Sequence, residues 1–336
     1  MPILALDIGT YTIKAVHGKG GTKPEIIRAV ESFNPHGFVV PSDEAQLEKM
    51  VKTLETFLSD NNLPTVDVRL SMPESVVSTK IIPLPPLSDA ELASAIGWQA
   101  EQHIPIPPEE LSLEYHVISR PPKNDRNAQM RVMLIGVRKS IIERYLSIFT
   151  NLSIEPTVLE TQMLSVIRSL QFTPTDPTTL VVHIGASTMD MAMVFQGQIE
   201  FVITHVSGGQ VLTRTLEQSI GLDAQQAESY KRTYGMDEAQ FQGKVRDVLV
   251  PPVRLLIAEF QKAIRFFMSQ HPTESVKRVL LSGGTAQLPG IVPFATSELG
   301  IEVLVAAPFA EATGELPTTS QTAYTVAMGM LMRDDS

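Results

Sequence analysis

The sequence has no cysteine and no long apolar run, and it has fewer basic than acidic residues. The absence of cysteine excludes disulfide bonds and thiolate metal sites, and it fits a reducing compartment. No run approaches the roughly 20 apolar residues that a membrane-spanning helix needs. Against 27 Lys and Arg stand 37 Asp and Glu, a formal net charge of -10, so the chain lacks the basic surface that phosphate backbones or acidic lipids require. We therefore expect no nucleic-acid binding, no direct membrane insertion, and membrane association only through a protein partner.

The N-terminal residues 1–7 also lack the basic region and the long apolar stretch of a signal peptide. We therefore expect a cytoplasmic protein. The hydrophobic fraction of 43% is that of an ordinary globular protein. A chain of 336 residues exceeds the usual size of one hydrophobic core, which predicts two lobes.

An internal sequence repeat supports a duplicated domain. Residues 3–16 and residues 180–194 each contain an apolar β-rich run, then Ile-Gly-x-x-Thr, then a second alternating run. This pattern is typical of two strands joined by a tight turn that contains glycine. Because one such hairpin stands near the start of each half, we expect two related lobes with a cleft between them.

Helical and strand-like segments alternate between these hairpins, which predicts an α/β protein. Ser42 is a predicted N-cap, Ser88 begins a capping box with Glu91, and Pro251 and Pro252 suit the first turn of a long helix. Strands are predicted at 131–137, 199–206, 278–282 and 302–305.

Proline-rich segments occur throughout residues 80 to about 155. The polar stretch 120–127 within it has the composition of an exposed loop between strands. We interpret the region as a small subdomain inserted in the first lobe. Composition alone equally allows that these prolines mark the loops of one continuous lobe.

The first hairpin turn is a candidate phosphate site. Gly9 permits a tight turn whose following amides can point at an anion. Thr10 adds a hydroxyl donor, Lys14 could reach a phosphate oxygen, and Asp7 could hold Mg²⁺ through water. A plain hairpin turn with a solvated aspartate is the alternative interpretation.

Four later segments could complete such a site. In the second hairpin, residues 183–188, the acidic position is occupied by His183, whose imidazole is a poor ligand for Mg²⁺; a partly buried, hydrogen-bonded histidine is the alternative. Gly208-Gly209 opens a helix, where the backbone and the helix dipole favour anions. Gly283-Gly284 ends a strand and could lie against a purine, or could simply make a tight bend. Glu228 and Lys231 share a helical face, which by default is a surface ion pair.

Taken in order, these segments resemble the actin/Hsp70/FtsA superfamily of ATPases. The resemblance implies an actin-like (ribonuclease H-like) duplicated two-lobe fold, connecting helices near 158–165 and 322–330, and ATP or ADP in the cleft with Mg²⁺ held through water by Asp7. It also implies a set of nucleotide-binding residues, namely Asp7, Gly9, Thr10, Tyr11, Lys14, Gly185, Ala186, Thr188, Gly208, Gly209, Glu228, Lys231, Lys262, Gly283, Gly284 and Thr285. His183 departs from the aspartate usual in this superfamily, so we expect hydrolysis to be weak or absent.

Within the superfamily, several segments resemble the inserted 1C subdomain of the PilM family of type IV pilus assembly proteins: residues 80–85, the helix through Glu91, Ile96 and Glu101, and residues 104–105, 114–118 and 137–139. The chain ends directly after the second connecting helix, without the membrane helix of FtsA, which favours the same family. The resemblance implies binding of the N-terminal cytoplasmic tail of PilN, an inner-membrane protein, in a groove between subdomains 1A and 1C.

The implied subdomains have the following bounds: 1A at 1–79, 156–176 and 318–333; 1C at 80–155; 2A at 177–218 and 262–317; 2B at 219–261. Self-association is left open. The alternatives are a scaffold of cell division or of type II secretion, and a small-molecule kinase of the same superfamily, which would need a carboxylate base beside a substrate hydroxyl.

Overall fold

The computed structural model describes residues 2–121 and 129–334. Most of the loop predicted at 120–127 therefore lies outside the described residues. The strands are β1 (Ile3–Ile8), β2 (Thr12–Lys19), β3 (Glu25–Phe33), β4 (Val68–Met72), β5 (Val77–Leu84), β6 (Leu111–Ser119), β7 (Met130–Arg138), β8 (Pro156–Thr161), β9 (Thr179–Ile184), β10 (Met189–Phe195), β11 (Gln198–His205), β12 (Arg278–Ser282), β13 (Glu302–Val305) and β14 (Thr313–Gly314). The α-helices are α1 (Glu44–Asp60), α2 (Asp89–His103), α3 (Lys139–Asn151), α4 (Gln162–Ser169), α5 (Gly209–Ile220), α6 (Ala224–Tyr234), α7 (Lys244–Gln270), α8 (Ile291–Leu299) and α9 (Thr325–Leu331).

Two of the sheets are built to the same plan. The first has the strand order β14-β3-β2-β1-β4-β8, and the second has the order β11-β10-β9-β12-β13. In each, a three-stranded antiparallel meander is followed by two strands that continue the sheet in parallel, β4 and β8 in the first and β12 and β13 in the second. The duplication expected from the two hairpins is therefore confirmed.

Helices α4 and α9 lie between the two sheets and share one apolar cluster with both. The cluster joins Ala5 and Val16 of the first sheet to Val181 and Ala192 of the second. The helices cross closely at Gly329, where a β-carbon would overlap the carbonyl oxygen of Ser165. The lobes are thus joined by a buried two-helix layer.

A third sheet, β5-β7-β6, is antiparallel throughout. One face packs on α2, whose Leu92, Ile96 and Ala100 are buried against this sheet. Helix α3 follows β7 but packs back on the first lobe, where its Tyr145 and Phe149 are fully buried. The third sheet therefore lies beside the first lobe as a separate layer with its own small core.

Several helix boundaries differ from the sequence predictions. The N-cap of α1 is Asp43 and not Ser42, since the Asp43 carboxylate accepts the amide of Gln46. The Ser88–Glu91 capping box is confirmed. Pro251 and Pro252 lie inside α7 and do not begin it, because the apolar stripe starts earlier, at the buried Val245, and continues at three- and four-residue spacing into the core of the second lobe.

The connecting helices also begin later than expected. Residues 156–161 form strand β8 beside β4, and α4 starts at Gln162, capped by the Thr161 hydroxyl. A short 3₁₀ turn at Gln321–Tyr324 precedes α9. β-branched residues such as Val158 favour the strand that the family pattern alone did not predict. Within the described residues, no helix is both long and apolar enough to cross a membrane.

Candidate functional site

The two hairpin turns face each other across a cavity of about 510 Å³ between the lobes. Each turn is closed by the same hydrogen bond, from Gly9 N to Thr12 O and from Gly185 N to Thr188 O, both 2.9 Å. Across the cleft, the hydroxyl of Thr10 donates to that of Ser187 at 3.1 Å. The turns thus present backbone amides and hydroxyls to one shared space.

Glycine permits this close approach in the second lobe. The amide of Gly209 donates to Gly185 O at 2.9 Å, so the N-terminus of α5 lies against the second hairpin. A β-carbon on Gly208 would come within 2.7 Å of the Gly185 and Ala186 carbonyl oxygens. Gly208 therefore supports the wall of the cleft from behind, whereas Gly209 lines it. The positive end of the helix dipole faces the cavity, which favours an anion there.

Asp7 lies at the floor of the cleft and is buried, with three side-chain donors. Lys14 Nζ, Ser71 Oγ and Gln162 Nε2 each lie 3.0 Å from its carboxylate. Burial alone would raise the pKa of this carboxyl, but Lys14 and the hydrogen bonds hold it below its ordinary value. Asp7 is therefore an ionised carboxylate that accepts three side-chain hydrogen bonds.

The metal ligands that this site offers fit Mg²⁺ only together with a nucleotide. Within the part of the chain that is described, no three His, Cys, Asp or Glu side chains come together as a metal site. Asp7 is a single carboxylate whose two oxygens already accept hydrogen bonds. Mg²⁺ commonly binds through one carboxylate, several waters and phosphate oxygens, and such an ion would be held here through water.

His183 is buried beside Asp7, and its Nδ1 lies 3.0 Å from the hydroxyl of Ser282. Burial, with a smaller contribution from the Lys14 charge, lowers the pKa of His183 to about 4, against the opposing attraction of Asp7. The imidazole is therefore neutral near pH 7. This wall of the cleft carries a nitrogen heterocycle where an oxygen ligand would favour the metal.

The side chains of Lys231 and Glu228 are only 9% and 14% exposed, so the default interpretation of this pair as a surface ion pair is wrong. Lys231 Nζ donates to Glu228 at 2.6 Å, to Thr213 Oγ1 at 2.9 Å and to Gly209 O at 3.2 Å. Despite burial, the neighbouring Lys231 charge lowers the pKa of Glu228. The pair is buried because α6 packs on α5, a tertiary contact that helical spacing cannot reveal. It fixes α6 against the N-terminus of α5.

Two further features complete the rim. The guanidinium of Arg232 lies 5.3 Å from the ring centre of Tyr11, which connects α6 of the second lobe to the first hairpin. Gly283 has φ of +84°, and a β-carbon there would lie 2.5 Å from Ile184 O. A β-carbon on Gly284 would meet nothing within 4 Å, so this position faces open cleft.

The structure brings together most of the residues predicted to bind nucleotide. Those that line the cleft are Asp7, Gly9, Thr10, Tyr11, Lys14, Gly185, Ala186, Thr188, Gly209, Glu228, Lys231, Gly283, Gly284 and Thr285. Lys262 is not brought into the cleft: it lies on the outer face of α7, and its exposed Nζ pairs with Glu259 at 2.7 Å. Sequence reasoning missed Gln162 and Arg232, which line the cleft. No sequence signal marked Gln162, because the junction of β8 and α4 that places it was not predicted.

Two buried carboxyls lie behind the cleft. Glu74 accepts the amide of Met163 at 2.7 Å, and Asp190 accepts the hydroxyl of Thr188 at 3.1 Å. Burial, and to a lesser extent the charge of Asp190, raises the pKa of Glu74 to about 7. Burial also raises the pKa of Asp190 to about 6. These groups therefore titrate near neutral pH.

A second cavity, of about 820 Å³, lies between β8 of the first sheet and the third sheet; we call it the groove. Its walls include Ser112, Glu114, His116, Ile135 and Val137 of the third sheet, Thr157 to Thr161 of β8, Ile142 of α3, Leu164 and Arg168 of α4, and the C-terminal residues Met332 to Asp334.

The charged end of the groove is an ordered network. Glu160 accepts Arg168 at 2.5 and 2.9 Å and Arg333 at 2.8 Å. The hydroxyl of Ser165 also donates to it. Burial would raise the pKa of Glu160, yet its hydrogen bonds and Arg168 keep it below its ordinary value. This network ties α4 and the C-terminal residues to β8.

The cleft and the groove meet at two strand ends. At the end of β4, Met72 lines the groove and Pro73 lines the cleft; at the end of β8, Thr161 lines the groove and Gln162 lines the cleft. A shift of either strand end would alter both cavities.

Comparison with known proteins agrees with this geometry. The family model described as type IV pilus assembly protein PilM matches residues 5–335. Among solved structures, the chain is similar to the PilM-PilN type IV pilus biogenesis complex, with a TM-score of 0.83, 21% identity and 98% of each chain covered. It is also similar to the ethanolamine utilization protein EutJ from Carboxydothermus hydrogenoformans, with a TM-score of 0.59, 15% identity, and 99% of this chain and 89% of that chain covered.

A third similar structure is MreB 5 of Spiroplasma citri bound to AMPPNP, with a TM-score of 0.53, 12% identity, and 98% of this chain and 94% of that chain covered. Together these likenesses confirm the actin-like fold expected from the sequence.

Proposed function

Because the chain belongs to the type IV pilus assembly protein PilM family, we propose that it is a cytoplasmic, nucleotide-binding scaffold held at the inner membrane by the N-terminal tail of PilN. PilN is the partner of PilM in the similar type IV pilus biogenesis complex. The observation that carries the proposal is the presence of two separate cavities, the interlobe cleft and the groove, that share the ends of β4 and β8.

The cleft suits a nucleotide di- or triphosphate. The hairpin amides, the N-terminus of α5 and Lys14 supply the donors that phosphate oxygens need. The open surface at Gly284 can accept a flat base, and Glu228 lies where a ribose or base could be held. ATP with Mg²⁺ would supply the negative charge that these donors otherwise lack. We assign Asp7 to the metal through water, and Gly208 to the support of the phosphate wall.

We propose that hydrolysis is weak or absent. Asp7 is occupied by three donors, and His183 is neutral and offers no oxygen ligand. Phosphoryl transfer depends mainly on positioning and on charge stabilisation, and neutral His183 stands beside Asp7 where a second carboxylate would contribute to both.

The groove suits a short peptide. Its volume is within the range of about 300–1,000 Å³ that ligand sites occupy, and its walls mix apolar side chains with an ordered charged network. We further propose the subdomain division expected from sequence, with an insert at 80–155 that contains β6, β7 and most of β5. The insert would then supply one wall of the groove, and the body of the first lobe the other.

Charge reversal in the groove tests the assignment. In the double variant Ser112→Arg/Glu114→Arg, two long cations would stand on the β6 wall of the groove. We expect the affinity for a synthetic PilN N-terminal tail peptide to fall by at least about tenfold, or about 1.4 kcal/mol. The measurement is isothermal titration calorimetry.

The matched control is Ser94→Arg/Glu101→Arg, which makes the same changes on the exposed surface of α2. This variant should bind the tail as the parent does. Equal affinities for both folded double variants would place the peptide site elsewhere. No binding by the parent protein would remove the PilN assignment.

A further inference from the structure

The groove follows the free edge of the first sheet. Every residue from Thr157 to Thr161 lines it. Successive side chains on a strand point to opposite faces, so a cavity that contacts all of them in turn must run along the strand's edge. The open side of the groove at β8 is therefore formed by backbone as well as side chains.

Strand β8 is the last strand of its sheet. Among the described residues it pairs only with β4, in parallel, over Pro156 to Thr161. Its first residue is a proline, which is common in edge strands because it cannot donate a ladder hydrogen bond. Such an edge presents unpaired N–H and C=O groups that can accept another strand.

The wall opposite this edge is the face of the third sheet that is turned away from α2. Ser112, Glu114 and His116 alternate along β6, and their partners in β7 include Ile135 and Val137, which also line the groove. A strand added beside β8 would thus have its backbone paired on one side and its side chains in contact with this mixed apolar and polar face.

We propose that the partner segment binds by β-strand addition, as a seventh strand of the first sheet beside β8. This inference rests on the proposed function, which supplies the occupant: the cytoplasmic tail of a membrane-anchored protein. In this mode, main-chain hydrogen bonds supply affinity and pockets for alternate side chains supply specificity.

Charge favours a cationic segment. Arg168 and Arg333 are both paired with Glu160, whereas Glu114 and Asp334 add two more carboxylates to the lining. Cytoplasmic segments next to a membrane span carry an excess of Lys and Arg. The expected segment is extended, with apolar residues at alternate positions facing Ile135, Ile142 or Leu164 and with basic residues near the acidic rim.

An amide-to-ester scan of the tail peptide tests this binding mode. Each ester removes one backbone N–H donor without changing a side chain. We expect the affinity to fall about two- to tenfold at every second position of the bound segment, as for loss of one hydrogen bond. Esters at the intervening positions should leave the affinity unchanged. Calorimetry with the full-length chain gives the values.

Amide hydrogen exchange provides an independent measurement on the protein. Binding of the all-amide peptide should slow exchange at alternate residues of β8, while exchange at the amides of β13, an edge strand of the second sheet, should not change. A flat ester profile with retained affinity, or unchanged exchange in β8, would overturn β-strand addition while leaving the proposed function intact. Failure of the all-amide peptide to bind would instead overturn the proposed function.

Discussion

At the scale of single residues, His183 occupies the position at which the superfamily resemblance implies an aspartate. The imidazole is buried, bonded to Ser282 and neutral near pH 7. It lies beside Asp7, whose ionised carboxylate is paired with the Lys14 ammonium group at 3.0 Å. Under the proposed function, the cleft would hold phosphates through hydrogen-bond donors and would offer little to organise a metal and a water for hydrolysis.

Restoring a carboxylate should raise hydrolysis. We expect His183→Asp to increase the steady-state rate at least about tenfold, which corresponds to about 1.4 kcal/mol of barrier. His183→Asn, which adds an oxygen without charge, should not. Phosphate release at saturating Mg-ATP is the measurement. A parent turnover of about 1–100 per second, as in kinases, would contradict the account.

Glu74 has the opposite kind of environment, burial without a cation. Its pKa is raised from 4.5 to about 7. A carboxyl whose folded pKa is raised binds its proton more tightly in the folded state. Its contribution to stability is therefore complete below about pH 4.5 and is lost as the pH rises through about 7.

Glu74→Gln should remove this pH-dependent loss of stability, because the glutamine amide does not ionise. Its oxygen can still accept the Met163 N–H. We expect the unfolding free energy of the variant relative to the parent to increase by about 1–3 kcal/mol between about pH 5 and pH 8. Asp190, whose pKa is raised toward 6, would be relieved of a like charge, which acts in the same direction. Urea unfolding across this range measures the difference.

The control is Glu48→Gln on the exposed face of α1, whose curve should run parallel to that of the parent. If the plot of unfolding free energy against pH for Glu74→Gln also runs parallel to that of the parent, this carboxyl titrates normally.

Most cleft residues could be found from the sequence because turns of the Ile-Gly-x-x-Thr type specify their own geometry. Asp7, Gly9 and Gly185 occupy the predicted positions. Side chains that reach the cleft through tertiary packing could not be found in this way. The position of Gln162 in the cleft depends on the junction of β8 and α4. Lys262 was predicted from the order of the family's segments, but it lies on an exposed helix face.

At the scale of elements, the contact between α4 and α9 determines how closely the lobes approach. Gly329 allows α9 to lie against the backbone of α4 at Ser165. The same pair carries the network that joins Arg168 to Gly329 O and to Glu160. The two-helix layer is therefore a tight spacer, with little room for added volume.

Gly329→Ala should destabilise the fold by about 1–3 kcal/mol, the usual cost of overpacking. The matched control is Gly97→Ala on α2, where a β-carbon meets nothing within 4 Å. There, alanine should stabilise by up to about 1 kcal/mol, since it favours helix. Urea unfolding of both variants is the measurement, and equal free-energy changes would contradict the close crossing.

The elements themselves were partly predictable. Alternating strands and the capping box at Ser88 follow from local rules. The start of α7 could not be predicted from local rules. Pro251 and Pro252 suggest a first turn, whereas the apolar stripe from Val245 onwards favours an earlier start. Strand β8 was missed because its pairing with β4 joins distant segments.

At the scale of the whole molecule, the cleft and the groove are two cavities that share the ends of β4 and β8. Gln162 connects Asp7 of the cleft to the end of β8, which forms the groove. If the lobes close around nucleotide, these strand ends are fixed, and a peptide bound at β8 meets a preformed edge. Linkage then requires the peptide to tighten nucleotide binding by the same factor.

Reciprocal calorimetry tests this central claim most directly. The affinity of the PilN tail peptide is measured without and with saturating AMPPNP, and that of AMPPNP without and with saturating peptide. We predict the same increase in both directions, within the range of about 5- to 150-fold of allosteric coupling. In the variant Gly284→Val, the valine side chain would project into the cleft, so AMPPNP should bind poorly. Adding AMPPNP should then leave the affinity for the tail peptide unchanged. The control variant Gly97→Val should behave as the parent. A parent protein that binds no nucleotide, or that binds both ligands with no mutual effect, would contradict the account.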